Sequence, residues 1–477
     1  MRARSLTSAA IGGWVLVVVV VAPTAAVPAI AAPQTIRVPA GNAAAAAIAG
    51  AASGDTVVLT AGTHRGPLRI TAAITLRGEP GAIVDGGGTG SVIVVASDDA
   101  TIAGLHVRGT GRDVMKVDAA VQVLTSARVR LSDLTISDVL YGIYAERATS
   151  MSVEHCTLIG RVKPMDESGT GNGIHLWYCA GGTLKGNRVE RFLDAIYLSF
   201  ANDIVVTENL LQWNGRYGLH TMYCQTNRLE RNTFTYNVAG CALMFSNGLV
   251  VDHNDFVHNR GSRTYGLLLR DCSAGTFTDN RLADNTVAVF MDGSNRNRFR
   301  GNLIENNGWG LLMFSSCAGN EFAGNNFIQN DYPVALDMRR TSNRFDDGRI
   351  GNHWSENAAY DLDDDGISDI PYAPVSAFAF VSKQYPDLTI LAKSPAVMAL
   401  AVAERVFPAL RPSEAVDRFP LVSPARATSS DRAGIPLAKG KASWGVGVGF
   451  VLLLGLGVFG MSAGRGRLPS HVAGETS

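Results

Sequence analysis

The sequence predicts an all-β chain wound as a right-handed parallel β-helix, with a small C-terminal cap and a single C-terminal transmembrane helix. Three observations carry this expectation. Asparagine followed two places on by an apolar residue recurs at Asn187, Asn209, Asn232, Asn254, Asn280, Asn302 and Asn325, at spacings of 22, 23, 22, 26, 22 and 23. A second column keeps step: GIHLW from Gly173, AIYLS from Ala195, GLHTM from Gly218, GCALM from Gly240, GLLLR from Gly266, AVFMD from Ala288, GLLMF from Gly310 and VALDM from Val334. The 477 residues are 46% apolar and 18% charged, with 51 glycines and no Gly-X-Y period, which suits a large core with many turns. A coil of 22–26 residues cannot bury its own apolar side, and stacking coils makes a continuous core. Leucine-rich repeats share the period, but their signature is missing, and a propeller needs a longer one.

From the N-terminus, Arg2 and Arg4 precede the apolar run Trp14 to Ala22, and small residues lead to Ala29-Ile30-Ala31. This is the pattern of a secretory signal peptide over residues 1–31, so the mature chain is expected outside the cytoplasm. Coils are expected over 33–350, strongest from Gly173 onward and weaker upstream through GIYAE at Gly142 and back towards Val57. The asparagines suit inward turns, where side-chain amides stack in a hydrogen-bonded ladder. The rhythm breaks between Cys156 and Asn187, and Gly160 to Gly171 reads as a protruding loop. Residues 351–424 form the cap. Ser394 and Pro395 there supply an N-cap and a first-turn proline for a short amphipathic helix. A polar linker over 425–441 leads to an uncharged run from Ala442 to Gly464, 23 residues. At ~1.5 Å per residue that run spans a hydrocarbon core of ~30 Å. It would leave a short cytoplasmic tail, 465–477.

Lysine plus arginine and aspartate plus glutamate number 42 each, which argues against a nucleic-acid partner. Six cysteines in so long a chain exclude a disulfide scaffold. Cys179, Cys224 and Cys272 share one column with Ser246 and Ser294, a small-residue turn position, so they are expected as buried thiols.

Strand alternation turns the second and fourth residues of each GIHLW-type unit inward and the third and fifth outward. His220 and Met222 then stand ~7 Å apart on one strand, with Met244 beside Met222 at ~4.8 Å. Two solvent-facing thioethers and an imidazole are soft-to-borderline ligands suited to Cu(I). The same methionines equally suit packing against a loop or a partner. His175 and Met338 are the alternative or supporting copper ligands. Met291 and Met313 fall in the inward column. In GNHWSENAAYDLDDDGISDIPY, Asp361, Asp363, Asp365, the Ile367 carbonyl and Asp369 match positions 1, 3, 5, 7 and 9 of a calcium loop. Tyr372 stands where a full EF-hand has glutamate, and a solvated acidic turn is the competing reading. Catalytic signatures are thin. The outward columns offer Asp292, Asp337 and Arg270 but no tight carboxylate pair, and H-E-x-x-H, phosphate-loop and C-x-x-C motifs do not occur.

The order of these pieces resembles the NosD family of nitrous-oxide-reductase maturation proteins. The resemblance rests on RYGLHTMYC (Arg216 to Cys224), GCALMFS (Gly240 to Ser246), YGLLLRD (Tyr265 to Asp271), GNHWSENAAYDLDDDGISDIPY (Gly351 to Tyr372) and the tail Ser394 to Pro424. It covers about Pro39 to Pro424. Thr221 and Cys224 depart from the family pattern, which has an aromatic and a serine there. The resemblance implies an extracytoplasmic accessory protein rather than an enzyme. Such a protein docks on an ABC transporter permease and ATPase and takes copper from a lipoprotein chaperone. It helps build the copper–sulfur centre of nitrous oxide reductase. The alternatives on the same fold are a secreted polysaccharide lyase or epimerase, and a carbohydrate-binding protein.

Overall fold

The structure is a computed structural model that describes residues 32–161, 171–385, 388, 391, 394–407 and 413–425. The expected signal peptide, most of the protruding loop, nearly all of the linker, the 442–464 segment and the tail lie outside the described residues. Among the described residues no helix is long and apolar enough to cross a membrane.

The described chain is a right-handed parallel β-solenoid with three long sheets of 13, 12 and 13 strands. Each coil contributes one short strand to each sheet, so every strand pairs in parallel with its counterparts one coil before and after. The alternation seen in the sequence becomes burial. In the strand Tyr265–Arg270, Leu267 and Leu269 point into a core that runs the length of the solenoid. Met291 and Met313 are fully buried there, as expected. Aromatic rings continue the stacking inside: Phe277, Phe299, Phe322 and Phe345 follow one another with centroids 4.4, 4.7 and 5.4 Å apart.

Three sheets per coil require sharp corners, and many corners place a non-glycine residue in the left-handed region, such as Tyr223 at φ 57° and His253 at φ 53°. That conformation is unfavourable for most residues. The asparagine ladder offsets it. Asn232 donates its side-chain amide to Val206 O at 2.8 Å, and its backbone N–H reaches Asn254 Oδ1 at 2.9 Å. The sequence-read column from Asn187 to Asn325 is one such ladder. Two others share the period and escaped the sequence reading: Asn214, Asn237, Asn259, Asn285, Asn307 and Asn330 in one, and Asn297, Asn320 and Asn343 in the other.

Both ends are closed. The helix α1 (Ala44–Gly50), which the sequence reading did not anticipate, buries Ala44 and Ile48 against the first coils. At the other end lie α2 (Ala377–Gln384) and α3 (Pro395–Val406). Ser394 Oγ accepts the Val397 N–H at 3.4 Å, the N-cap expected from sequence. The long ladder ends on Asp417, whose Oδ2 accepts the Asn352 N–H at 2.7 Å and the Trp354 indole N–H at 2.8 Å.

Candidate functional site

The strand Tyr217–Met222 sits near the middle of the twelve-stranded sheet. Gly218 is required there, because a Cβ would meet Gly240 O at 2.5 Å. Leu219 and Thr221 turn inward, and Thr221 Oγ1 lies 3.1 Å from Ser246 Oγ. His220 and Met222 are left on the outer face. The register places Tyr197 and Ala242 on either side of His220, and Met244 directly beside Met222. The expected methionine pair therefore exists, with both side chains partly buried.

His220 departs from expectation. It faces outward but is only 5% exposed. Alternation decides the face of a sheet, not the depth of cover over it, and large neighbours close over the imidazole. Tyr197 stacks on it with centroids 4.6 Å apart and planes 13° apart, and Tyr217 meets it edge-on at 5.0 Å. Beneath lies Asp194, with no exposure. Arg216 donates to both its oxygens, at 2.9 and 2.7 Å, the Tyr217 N–H to Oδ1 at 3.2 Å, and His220 Nδ1 is 3.2 Å from Oδ2. Burial pushes the Asp194 carboxyl up, but the hydrogen bonds from His220 and Arg216 and the Arg216 charge outweigh it, and its pKa falls below the ordinary value. An ionised carboxylate only accepts, so it fixes the proton on Nδ1. Nε2 is then a lone-pair donor. It is buried and has no hydrogen-bond partner. Tyr197 Oη donates to Met222 Sδ at 3.6 Å, so the ring stacked on the imidazole also touches the thioether.

The other sequence-proposed ligands are not brought to this place. Tyr197 is inserted between His175 and His220, its centroid 4.6 Å from each, so the two imidazoles do not meet. Burial lowers the His175 pKa to about 4. Met338 lies beyond the strand Tyr332–Leu336, four coils from the strand of Met244, or ~19 Å at ~4.8 Å per coil, and packs against the central core. The cysteines are free and buried, as expected. Burial drives Cys272 to about 12 and raises Cys224, so these thiols are not thiolate ligands.

Asp194 and Arg216 were missed. A signal existed: Asp194 directly before AIYLS and Arg216 two places before GLHTM are opposite charges in adjacent coils, one place out of register and so within reach of each other.

In the acidic loop, Asp361, Asp363 and Asp369 bring carboxylate oxygens within 4.8 Å of one another. Asp365 stands outside that trio, and its carboxylate accepts the Ile367 N–H at 2.8 Å. Gly366, at φ +85°, makes the turn that lets its N–H reach Asp361 at 2.9 Å.

Comparison with known proteins adds a family to this geometry. Residues 160–359 match the family described as periplasmic copper-binding protein (NosD). A relative from Pseudomonas aeruginosa, named a probable ABC transporter binding protein NosD, is 32% identical over 383 residues, spanning 76% of this chain and 87% of its own length. One of the same name from Stutzerimonas stutzeri is 28% identical over 382 residues, spanning 76% of this chain and 86% of its own length. Among solved structures, the A-module of a mannuronan C-5 epimerase from Azotobacter vinelandii has a TM-score of 0.51 at 16% identity, covering 61% of this chain and 89% of that one. That likeness is one of fold.

Proposed function

The chain belongs to the NosD family, and on that premise we propose that it is an extracytoplasmic accessory protein whose cargo is Cu(I), held by His220, Met222 and Met244. The supporting observation is the His220 imidazole, whose Nδ1 side is fixed by Asp194, whose Nε2 is buried without a hydrogen-bond partner, and whose strand also carries Met222. A carboxylate behind a ligating histidine sets its tautomer and raises its basicity. Two thioethers and a neutral imidazole bind Cu(I) without losing a proton, which suits a carrier that must also release it. The partners we propose are an ABC transporter permease and ATPase, in keeping with the names of the two relatives, together with a copper chaperone lipoprotein and nitrous oxide reductase, whose copper–sulfur centre would receive the metal. The 442–464 segment would anchor the body at the membrane. A sugar-processing reading finds less support, because Asp194 is sealed and ion-paired rather than offered to a substrate.

The test is the double substitution Met222→Leu and Met244→Leu, which conserves volume. Folding should be unchanged, Cu(I) affinity should fall by roughly tenfold or more, and the reductase should lack its copper–sulfur centre. Parent-like Cu(I) binding with full maturation would make both methionines packing residues.

The Asp361, Asp363 and Asp369 trio we propose as a structural calcium site, with the Asp365 side chain as a turn former. Converging carboxylates repel without a cation. Chelation should therefore increase proteolytic nicking between Ile350 and Tyr372, and identical cleavage with and without chelator would remove the calcium.

A further inference from the structure

In successive coils, the residue that follows the strand of the twelve-stranded sheet turns the corner in the left-handed region: Arg147, then Tyr178, Phe200, Tyr223 and Phe245, then Asp271, with φ from 49° to 57°. Bulky side chains are disfavoured in that conformation. Arg147 and Asp271 show that the corner itself does not require a ring, yet the four coils between them all carry one. The rings stack on one another with centroids 4.6, 5.0 and 5.0 Å apart and planes within 18°. At ~4.8 Å per coil they form a ridge ~14 Å long. Arg147 closes one end, its guanidinium 5.9 Å from the centroid of the Tyr178 ring. Stacking hides the ring faces and leaves the edges in water, so all four residues are 36–47% exposed. The inner phenylalanine ladder gains the same stacking out of water, and stability alone does not call for an outer one.

The ridge borders the methionine pair. Met222 and Met244 are the last residues of their strands, so Tyr223 and Phe245 directly follow the two thioethers. The methionines are partly buried, whereas His220 lies almost sealed under its rings. An ion arriving at this corner meets the thioethers before the imidazole, which is an order of ligand exchange suited to loading. A protein donor must bring its own ligands to Met222 and Met244, and its surface then covers the ridge. Exposed rings with little charge among them are the composition of an interface core. At ~200 Å² per aromatic side chain, the four expose roughly 350 Å². A stable interface takes ~800 Å² from each partner, so the ridge suits a short-lived encounter rather than a permanent dimer. Resting on the copper reading above, we propose that the ridge of Tyr178, Phe200, Tyr223 and Phe245 is the docking face for the protein that supplies Cu(I) to the methionine pair, a donor whose metal site is set in an apolar surface.

The probe is the copper chaperone lipoprotein, offered with and without Cu(I) to the full chain in detergent micelles. Docking is read as binding, and loading as the rate of Cu(I) transfer at low chaperone concentration. Tyr178→Asn with Phe200→Asn removes half of the ridge at the end away from the methionines. Asparagine accepts the left-handed corner, so folding should match the parent. Cu(I) affinity against a small-molecule chelator should match it too. Docking and transfer should each fall by roughly tenfold or more. Tyr178→Asn alone, the milder change, should weaken docking by about threefold. Tyr178→Phe with Phe200→Tyr keeps the rings and should behave as the parent. Unchanged docking and transfer in the asparagine variants would overturn the proposal. A Cu(I) affinity that falls along with docking would overturn it as well, because the rings then serve the metal site. Unchanged transfer with failed reductase maturation would give the ridge to the acceptor, and a parent dimer lost in the double variant would give it to a second copy; either result rejects the donor. Met222→Leu with Met244→Leu keeps the ridge and should still dock, so failure of the thioether reading is seen separately, as unchanged Cu(I) affinity in that variant.

Discussion

Asp194, on the outer face of the long sheet, and Asp417, at the C-terminal end, are both fully sealed from solvent, yet their proton affinities move in opposite directions. Burial raises both. Asp194 has the Arg216 guanidinium on both oxygens and His220 beside it, and these reverse the effect. Asp417 receives N–H donors from Asn352, Trp354 and Phe419, and burial prevails, placing its pKa at about 6. The difference separates two uses of a buried acid. Asp417 continues a ladder of neutral amides, and a neutral group serves it well. Asp194 must stay charged, because its charge holds the His220 proton on Nδ1 and leaves Nε2 as a ligand.

The largest effect should come from breaking the charged cluster. Asp194→Ala takes the carboxylate away from Arg216, the His220 Nδ1–H and the Tyr217 N–H. Removing one partner of a buried ion pair costs ~3–5 kcal/mol. Arg216 keeps 28% of its side chain exposed, so the lower end of that range applies. Chemical denaturation should show a lowered midpoint. A loss below ~1 kcal/mol would mean that the pair is no more than a surface contact.

Asp417 gives the next effect, as a pH dependence. Its folded pKa, about 6, lies above the ordinary 3.8. The folded state therefore holds a proton that the unfolded chain releases. The resulting stability is fully present below pH ~4, falls as pH rises towards ~6, and is absent above it, roughly 3 kcal/mol in all. Asp417→Asn removes the titration and keeps an oxygen for the Asn352 N–H, as in each ladder step before it. The variant's thermal midpoint should lack the parent's decline between pH 4 and 6. An unchanged decline would assign the titration to another group.

Much of this architecture was legible because it repeats. A column of asparagines every 22 to 26 residues states that coils stack, and the spacing of the GLHTM and GCALM units by itself puts Met222 beside Met244. Depth was not legible. Alternation put His220 on the outer face, but its cover comes from Tyr197, one coil earlier, and Tyr217, whose ring leans over from its own strand. Asp417 was hidden for another reason. It meets Asn352 across 65 residues, outside the period, so no spacing rule points to it.

The smallest expected effect separates the two roles of Tyr197. Its ring covers His220, and its hydroxyl touches Met222 Sδ at 3.6 Å. Tyr197→Phe keeps the stack and deletes only the hydroxyl. A thioether is a weak acceptor, so the fold should lose no more than ~0.5 kcal/mol. The freed sulfur lone pair becomes more available to metal, and Cu(I) affinity should rise by about two- to threefold, because a bond that competed with the metal is gone. Competition with a Cu(I) chelator of known affinity would measure it. A marked fall in affinity instead would show that the hydroxyl orients Met222 towards the metal, and the charged cluster around Asp194 would then extend through Tyr197 to the sulfur.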